Sequence, residues 1–567
     1  MITRRVLFAA LAVLMLWCSP LSAENYTVEG EMGSQIRFEI QKSVTTVAGV
    51  TKLTLSFVVP PTFKSPTYNQ EIQGFELKFS PEPQEEKKTV NERGHEVVTA
   101  TWVKPPPGID VRLAFTALNN THLKMIDTGV PFPVRDIPED VKYYLKATEQ
   151  VQANDPRIVK RAKELTQGVT TEFDAVQRIL TYVIDNVRYV TPPAKYDALY
   201  TLEAGRGNCQ NFSHLAAALM RAEGIPTRVV NGITLNKPFD LKRKGGVITF
   251  KMGQGRHSWI EVWFPDLGWV PFDPQQTAMF VSNRYIRVET GADNNETVND
   301  GLMRWTQRKG SEGEPNAQET INGDFNVDRV NVEGRRQDYG PKNLLLVPHV
   351  KAAFKKIEVP PPPPPPPVIT AEEKKELRFT VPFLFGNLEF PENIDFAFPP
   401  TPTVAKGKTS FEKTKSFYVE TAEYVTTKLT QYAQVFVLVK PVRLHKVGLA
   451  LHKFGGDGQI WVDLFKDANG KPGEQITTSE MVNLDDISER PGYRWQDFVF
   501  KDEITLMPGA YWVGLGFTGS PVLNWFYTYG KPVGPVEGTR YKGVYEEDWS
   551  GALSYEFNYR VIGMTTK

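Results

Sequence analysis

Cys209 is the residue around which a reaction can be built. It closes the run Gly205-Arg206-Gly207-Asn208-Cys209, and Gln210 to Met220 follow it. In that stretch Phe212, Leu215, Ala216, Leu219 and Met220 recur at the spacing of one helix face, and Gly224 and Pro226 supply the stop. The cysteine therefore stands at a helix start, where unpaired N–H groups and the helix dipole favour a thiolate and can hold an oxyanion. The plain alternative is a buried small hydrophobe.

A thiolate that attacks a carbonyl needs an acid/base partner, and that partner needs an orienting group. Gly255 to Phe264 alternates as a strand, with Ile260, Val262 and Phe264 on one side and His257, Trp259, Glu261 and Trp263 on the other. Pro265-Asp266-Leu267-Gly268 reads as a turn, and Trp269 to Pro274 returns, bringing Asp273 level with His257. Cys209, His257 and Asp273 thus have the makings of a thiol triad. His214, five residues into the helix, points away from Cys209 and reads as structural. The seven histidines are scattered without metal-ligand spacing, so no metal or cofactor is expected. Asp463, Asp467 and Asn469 raise a calcium site, but a hairpin turn explains Asp-Ala-Asn-Gly more simply.

The order Gly-Arg-Gly-Asn-Cys, Ala222-Glu223-Gly224-Ile225-Pro226-Thr227-Arg228, His-Ser-Trp-Ile-Glu-Val-Trp and Gly-Trp-Val-Pro-Phe-Asp-Pro resembles the bacterial transglutaminase-like superfamily, relatives of the papain-like cysteine peptidases. The resemblance covers about residues 175–288 and extends to Asn186-Val187-Arg188-Tyr189. It implies Cys209 as nucleophile, His257 as acid/base, Asp273 as its orienter and Tyr189 as a candidate oxyanion donor. Gln210 departs from the acidic or small residue that usually follows the family's cysteine.

The chain is long, at 567 residues, and exceeds what one core supports, so several domains are expected. Lys+Arg and Asp+Glu balance at 66 each, which removes any bulk electrostatic case for nucleic acid. Residues 1–23 read as a signal peptide: Arg4 and Arg5, an apolar run to Trp17, then small residues to Ala23. Export to the periplasm or medium follows, and no transmembrane segment is expected. Of two cysteines, cleavage would remove Cys18 and leave Cys209 without a disulfide partner.

The remaining chain divides as a multidomain α+β protein. Residues 24–132 alternate as an N-terminal β-sandwich and 133–300 form the transglutaminase-like catalytic domain. Residues 301–358 are a polar extended segment, with 301–340 read as a long loop or partly disordered. Residues 359–368 hold a polyproline spacer (Pro360 to Pro367), about 25 Å long at about 3.1 Å per residue. Residues 369–567 are a C-terminal module of short strands and Gly/Pro turns, read as a jelly-roll β-sandwich. That module resembles carbohydrate-binding β-sandwiches, which makes a glycan or envelope polymer a candidate partner. Its aromatics Trp525, Tyr527, Tyr529, Tyr541 and Trp549 fit sandwich core better than sugar platforms.

The expected reaction is acyl transfer from a protein or peptide amide through a thioester. Water as acceptor makes a peptidase or amidase, the first expectation because an open site defaults to water. An amine acceptor makes a cross-linking transglutaminase, and a non-catalytic envelope scaffold is the remaining alternative.

Overall fold

In the computed structural model the described residues are 25–123, 128–189, 193–243, 246–275, 279–337, 346–348, 377–388, 395–396, 401–405, 408–413, 417–418, 422–424, 430–487, 494–528, 538–553 and 555–567. The leader and the proline run lie outside them.

The N-terminal region forms two sheets. Asn25–Thr45 pairs antiparallel with Gly108–Leu123, and Val50–Val58 pairs with Glu96–Val103. Ile36, Phe38 and Ile40 from the first sheet meet Leu53, Leu55, Phe57 and Trp102 from the second in one buried core. The strand alternation read in the sequence is the alternation of that core.

The sandwich does not end at residue 132. Leu302–Gln307 pairs with Val50–Val58, and Asn316–Gln337 pairs along the length of Asn25–Thr45. This corrects the reading of 301–340 as a loop. The segment is poor in aliphatics because its strand shields one face only: Ala317, Ile321 and Phe325 pack on the core while Gln318, Thr320, Asn322 and Asp324 are exposed. Half-covered strands need few apolar residues. The backbone of Thr401–Ala405 and Lys408–Lys413 also joins this sandwich, beside Leu302–Gln307, whereas Val381–Asn387 belongs to the C-terminal sheet. The boundary drawn at 369 is therefore not a clean one.

The central region packs helices on a four-stranded antiparallel sheet ordered Gly268–Phe272, Gly255–Phe264, Thr227–Thr234, Tyr285–Gly291. Helices Pro156–Thr166 and Glu172–Asn186 start at Asp155 and Thr171, whose side chains accept from Arg157 N–H and Asp174 N–H. Val176, Ile179, Leu180 and Val183 are buried, as their spacing requires. The helix Cys209–Ala222 is more enclosed than its stripe implies: Cys209 through Arg221 are all buried. A hairpin of Phe239–Arg243 and Gly246–Phe250 leaves this region, meets Asn316–Gln337 on one edge and Ala552–Leu553 on the other.

The C-terminal sandwich sets a seven-stranded sheet against a six-stranded one. Trp525 and Tyr527 are buried in the sandwich core and Tyr541 packs on it, whereas Trp549 is buried in a separate cluster with Ala433, Val435 and Trp512; Tyr529 lies outside the described residues. Asp467 caps its hairpin through Gly470 N–H at 3.1 Å and accepts from Trp512 Nε1 at 2.7 Å, which is the turn role expected of it.

Buried polar contacts lock the sandwich to the central region. Arg256 is paired with Asp300 and with Glu319 (3.1 Å), and Lys42 donates to the Gly301 carbonyl at 2.9 Å. His95 Nε2 accepts the Thr290 N–H at 3.0 Å, which requires that nitrogen unprotonated. Burial, then Arg287, pulls its pKa down to about 4. Between the unfolded value near 6.5 and about 4, the unfolded chain binds a proton that the folded chain refuses, so stability falls as pH falls through that window. The loss is up to roughly 3 kcal/mol. Melting temperatures at pH 7, 5.5 and 4 should fall more steeply in the parent than in His95→Gln; parallel curves would contradict the assignment.

Candidate active site

The residue before the cysteine builds its surroundings. Asn208 caps the helix: its Oδ1 accepts the Gln210 N–H at 3.1 Å, while Asn211 Oδ1 accepts the Asn208 N–H at 3.1 Å. This reciprocal box engages the N–H groups on either side of Cys209. Asn211 Nδ2 reaches back to the Lys195 carbonyl (2.9 Å) and Thr201 Oγ1 (2.8 Å), tying the preceding loop to the same turn. Gly207 has to be glycine, because a Cβ there would stand 2.3 Å from the Asn211 side chain. Asn-x-x-Asn was visible in the sequence but its capping role was not read there.

His257 stands on the strand Gly255–Phe264, buried along its whole length. Ile260, Val262 and Phe264 enter the core shared with the helices, and Trp259 packs with Tyr68, Met252 and Tyr285. Gly232, paired with His257 across the ladder, leaves room for the Trp259 ring; a Cβ would lie 2.3 Å from it. The return strand pairs Phe272 with Ile260, so Asp273 stands across from Trp259 rather than level with His257. It reaches the imidazole along the diagonal, a normal same-face contact.

His257 Nε2 donates to Asp273 Oδ2 at 2.8 Å, and the Cys209 side chain neighbours the same imidazole and favours its charged form. With Nε2 engaged by the carboxylate, Nδ1 is the nitrogen left for sulfur. Burial alone lowers the histidine pKa, but Asp273 and then Cys209 outweigh it and push it up to about 10. Cys209, His257 and Asp273 are 1%, 6% and 0% exposed, so the group is enclosed rather than open.

Asp273 is itself held. Its Oδ1 accepts the Gln275 N–H at 3.0 Å, and Oδ2 also accepts the Tyr285 hydroxyl at 2.6 Å. Tyr285 was not singled out in the sequence. Tyr189, the candidate oxyanion donor, is buried in a short strand that pairs Tyr189 with Gly207, two residues before the cysteine. Gln210 is buried with its Oε1 unpartnered. His214 is spent on structure: Nδ1 meets the Tyr196 carbonyl at 2.6 Å and Nε2 accepts the Asn294 N–H at 3.3 Å. Among the described residues no cluster of three or more His, Cys, Asp or Glu could hold a metal, and no helix is long and apolar enough to cross a membrane.

Comparison with known proteins falls on this region. Residues 159–274 match the transglutaminase-like superfamily. YebA of Bacillus subtilis (strain 168) is 29% identical over 168 residues, 28% of this chain and 23% of its own length. ML0607 of Mycobacterium leprae (strain TN) is 35% identical over 96 residues, 17% of this chain and 31% of its own. The chain thus spans less than a third of either relative. A solved candidate cysteine protease from Cytophaga hutchinsonii is 19% identical, with a TM-score of 0.36, covering 56% of this chain and 98% of that one. The cysteine helix, the histidine strand and the aspartate return all lie inside residues 159–274, so the chain carries a transglutaminase-like superfamily domain there.

Proposed function

We propose that the chain is an exported thiol enzyme that transfers acyl groups from protein or peptide amides through a thioester on Cys209. One observation carries the reading: a buried imidazole bonded to a carboxylate and neighboured by a cysteine at a helix start. That arrangement supplies the nucleophile, the acid/base and the orienting group that acyl transfer needs.

The thiolate attacks the amide carbonyl carbon, and the carbonyl electrons move to oxygen. The capping box uses the N–H groups of Asn208 and Gln210 and leaves that of Cys209 to bind this oxyanion. Tyr189, beside Gly207, is the candidate second donor. His257 then gives its proton to the departing amine as the C–N bond breaks, leaving a thioester. In the second half His257 takes a proton from the acceptor, which attacks the thioester and releases sulfur as thiolate. Asp273 keeps the imidazole oriented through both steps.

Water as acceptor makes the enzyme a peptidase or amidase. The expectation of an open site does not apply, since Cys209 is 1% exposed, and this enclosure supports a second reading in which an amine resolves the thioester. Export rests on the leader composition of residues 1–23. A glycan or envelope polymer at the C-terminal module remains a proposal without support from the aromatics that are buried there.

Two outcomes test this. Casein cleavage and incorporation of a dansylated alkylamine into casein are assayed in parallel, and whichever occurs should fall more than about a thousandfold in Cys209→Ala. Asp273→Asn should cost roughly 10²–10⁴-fold. Residual turnover unchanged in Cys209→Ala would defeat the proposal. Independently, iodoacetate should alkylate Cys209 readily at pH 6, because the imidazolium beside the sulfur attracts the reagent's carboxylate. A rate that simply rises with pH as a free thiol's does would favour the scaffold alternative.

A further inference from the structure

The Asp273 oxygen that binds His257 is shared. Tyr285, 1% exposed, donates its hydroxyl to that same Oδ2 at 2.6 Å. Its ring stands edge-on to Trp259 (centroids 5.2 Å apart, 89°) and to His257 (5.8 Å, 61°), so it also walls the imidazole. Packing alone would be met by phenylalanine; the hydroxyl is aimed at the carboxylate.

Tyr285 is in turn held by the other domain. Tyr68 Oη and Asn119 Nδ2, both buried on sandwich strands, each donate to the Tyr285 carbonyl at 2.7 Å. The neighbouring backbone is bound in the same way. Ser34 Oγ donates to the Asn283 carbonyl (3.2 Å) and Thr121 Oγ1 to that of Val281 (3.2 Å). Gln70 Nε2 donates to the Arg287 carbonyl at 2.8 Å and Gln70 Oε1 accepts the Arg287 N–H at 2.8 Å. Side chains from the N-terminal sandwich thus seize residues 281–287 by their backbone, a contact independent of what those residues are, except at Tyr285, whose side chain continues into the site.

We propose that Tyr285 is a positioning residue for the His257–Asp273 pair and that the N-terminal sandwich is the support that holds it in place. The proposal rests on the thiol-enzyme reading. Two donors on one oxygen divide its charge: the hydroxyl fixes the carboxylate plane and takes up part of the pull that Oδ2 exerts on the imidazolium. The imidazolium is then held firmly enough to pair with sulfur, yet loosely enough to release its proton to the leaving amine. The groups bearing on its charge are Asp273 and Cys209, with Tyr285 acting through Asp273.

Iodoacetate alkylation of Cys209 in the full chain, followed by peptide mass from pH 5 to 11, reads this directly. The rate should fall where His257 loses its proton and no longer attracts the reagent. In Tyr285→Phe, which keeps the ring, that falling limb should move up by about half a pH unit or more, because Oδ2 now serves the imidazolium alone. Tyr68→Phe leaves the Tyr285 hydroxyl in place but removes one of the two bonds to its carbonyl; it should give a smaller shift of the same sign. A Tyr285→Phe profile superposed on the parent's, whatever its melting temperature, overturns the proposal, and an unmoved Tyr68→Phe profile overturns the sandwich's part in it. Absence of any falling limb in the parent would instead defeat the thiol-enzyme reading beneath it.

Discussion

An imidazolium enclosed by protein loses its hydration, and without fixed negative charge beside it the ring gives up its proton. His257 is enclosed in this way, yet its pKa is pushed up to about 10 because Asp273 and the Cys209 sulfur both face it. The surrounding structure serves that contact. A one-residue slip of the Gly255–Phe264 strand would carry His257 to the opposite face. The strand is therefore paired on both edges, buried from end to end, and clamped at Arg256 by Asp300 and Glu319. Farther along the face that carries His257, Glu261 accepts from Arg228 and from Arg287, each at 2.6 Å, so that buried charge is also matched.

The cysteine is fixed by different means. A helix that is buried all round cannot roll, because every face is already packed. Its first turn is drawn tight by the Asn208–Asn211 box, and Gly207 allows the loop to pass close enough for Asn211 to reach Lys195 and Thr201. Backbone donors at this turn are thus pre-arranged, and in the proposed reaction the Cys209 N–H is held where an oxyanion would develop. Preorganisation of this kind is where most electrostatic stabilisation of a transition state originates.

What could be read from the chain follows from how local each signal is. The helix after Cys209 and the alternation around His257 are written within a dozen residues, so both elements were legible, as was the pairing of His257 with Asp273. The exact ladder position of Asp273 was not, because the turn at Pro265–Gly268 sets the register and turn residues do not announce it. Tyr285 escaped because its role depends on a strand pairing 28 residues downstream of His257 and on an oxygen already assigned to another partner. Residues 301–340 misled for a physical reason. Their strand is covered on one face by a sandwich whose strands lie roughly 200–300 residues earlier, and its polar, aliphatic-poor text matches a loop as well as a half-exposed strand. The aromatics near the C-terminus were legible as core because they recur at strand spacing.

The same long-range pairing settles how the regions relate. The sheet that begins at Phe63–Lys64 runs through Asn25–Thr45 and Asn316–Gln337, takes in the central hairpin Phe239–Phe250 and ends on Ala552–Leu553. Chain from all three regions therefore contributes to one hydrogen-bonded surface, and the stretch 133–300 is not a self-contained body. Cutting after residue 300 would strip Leu302–Gln307 from Val50–Val58 and Asn316–Gln337 from Asn25–Thr45, leaving two unpaired edges. It would also remove Glu319 from Arg256, one residue from the imidazole, and leave a buried cation with only Asp300. The strands that close the sandwich come after the cysteine, histidine and aspartate in the chain, so the site's supports are complete only when those later residues have paired.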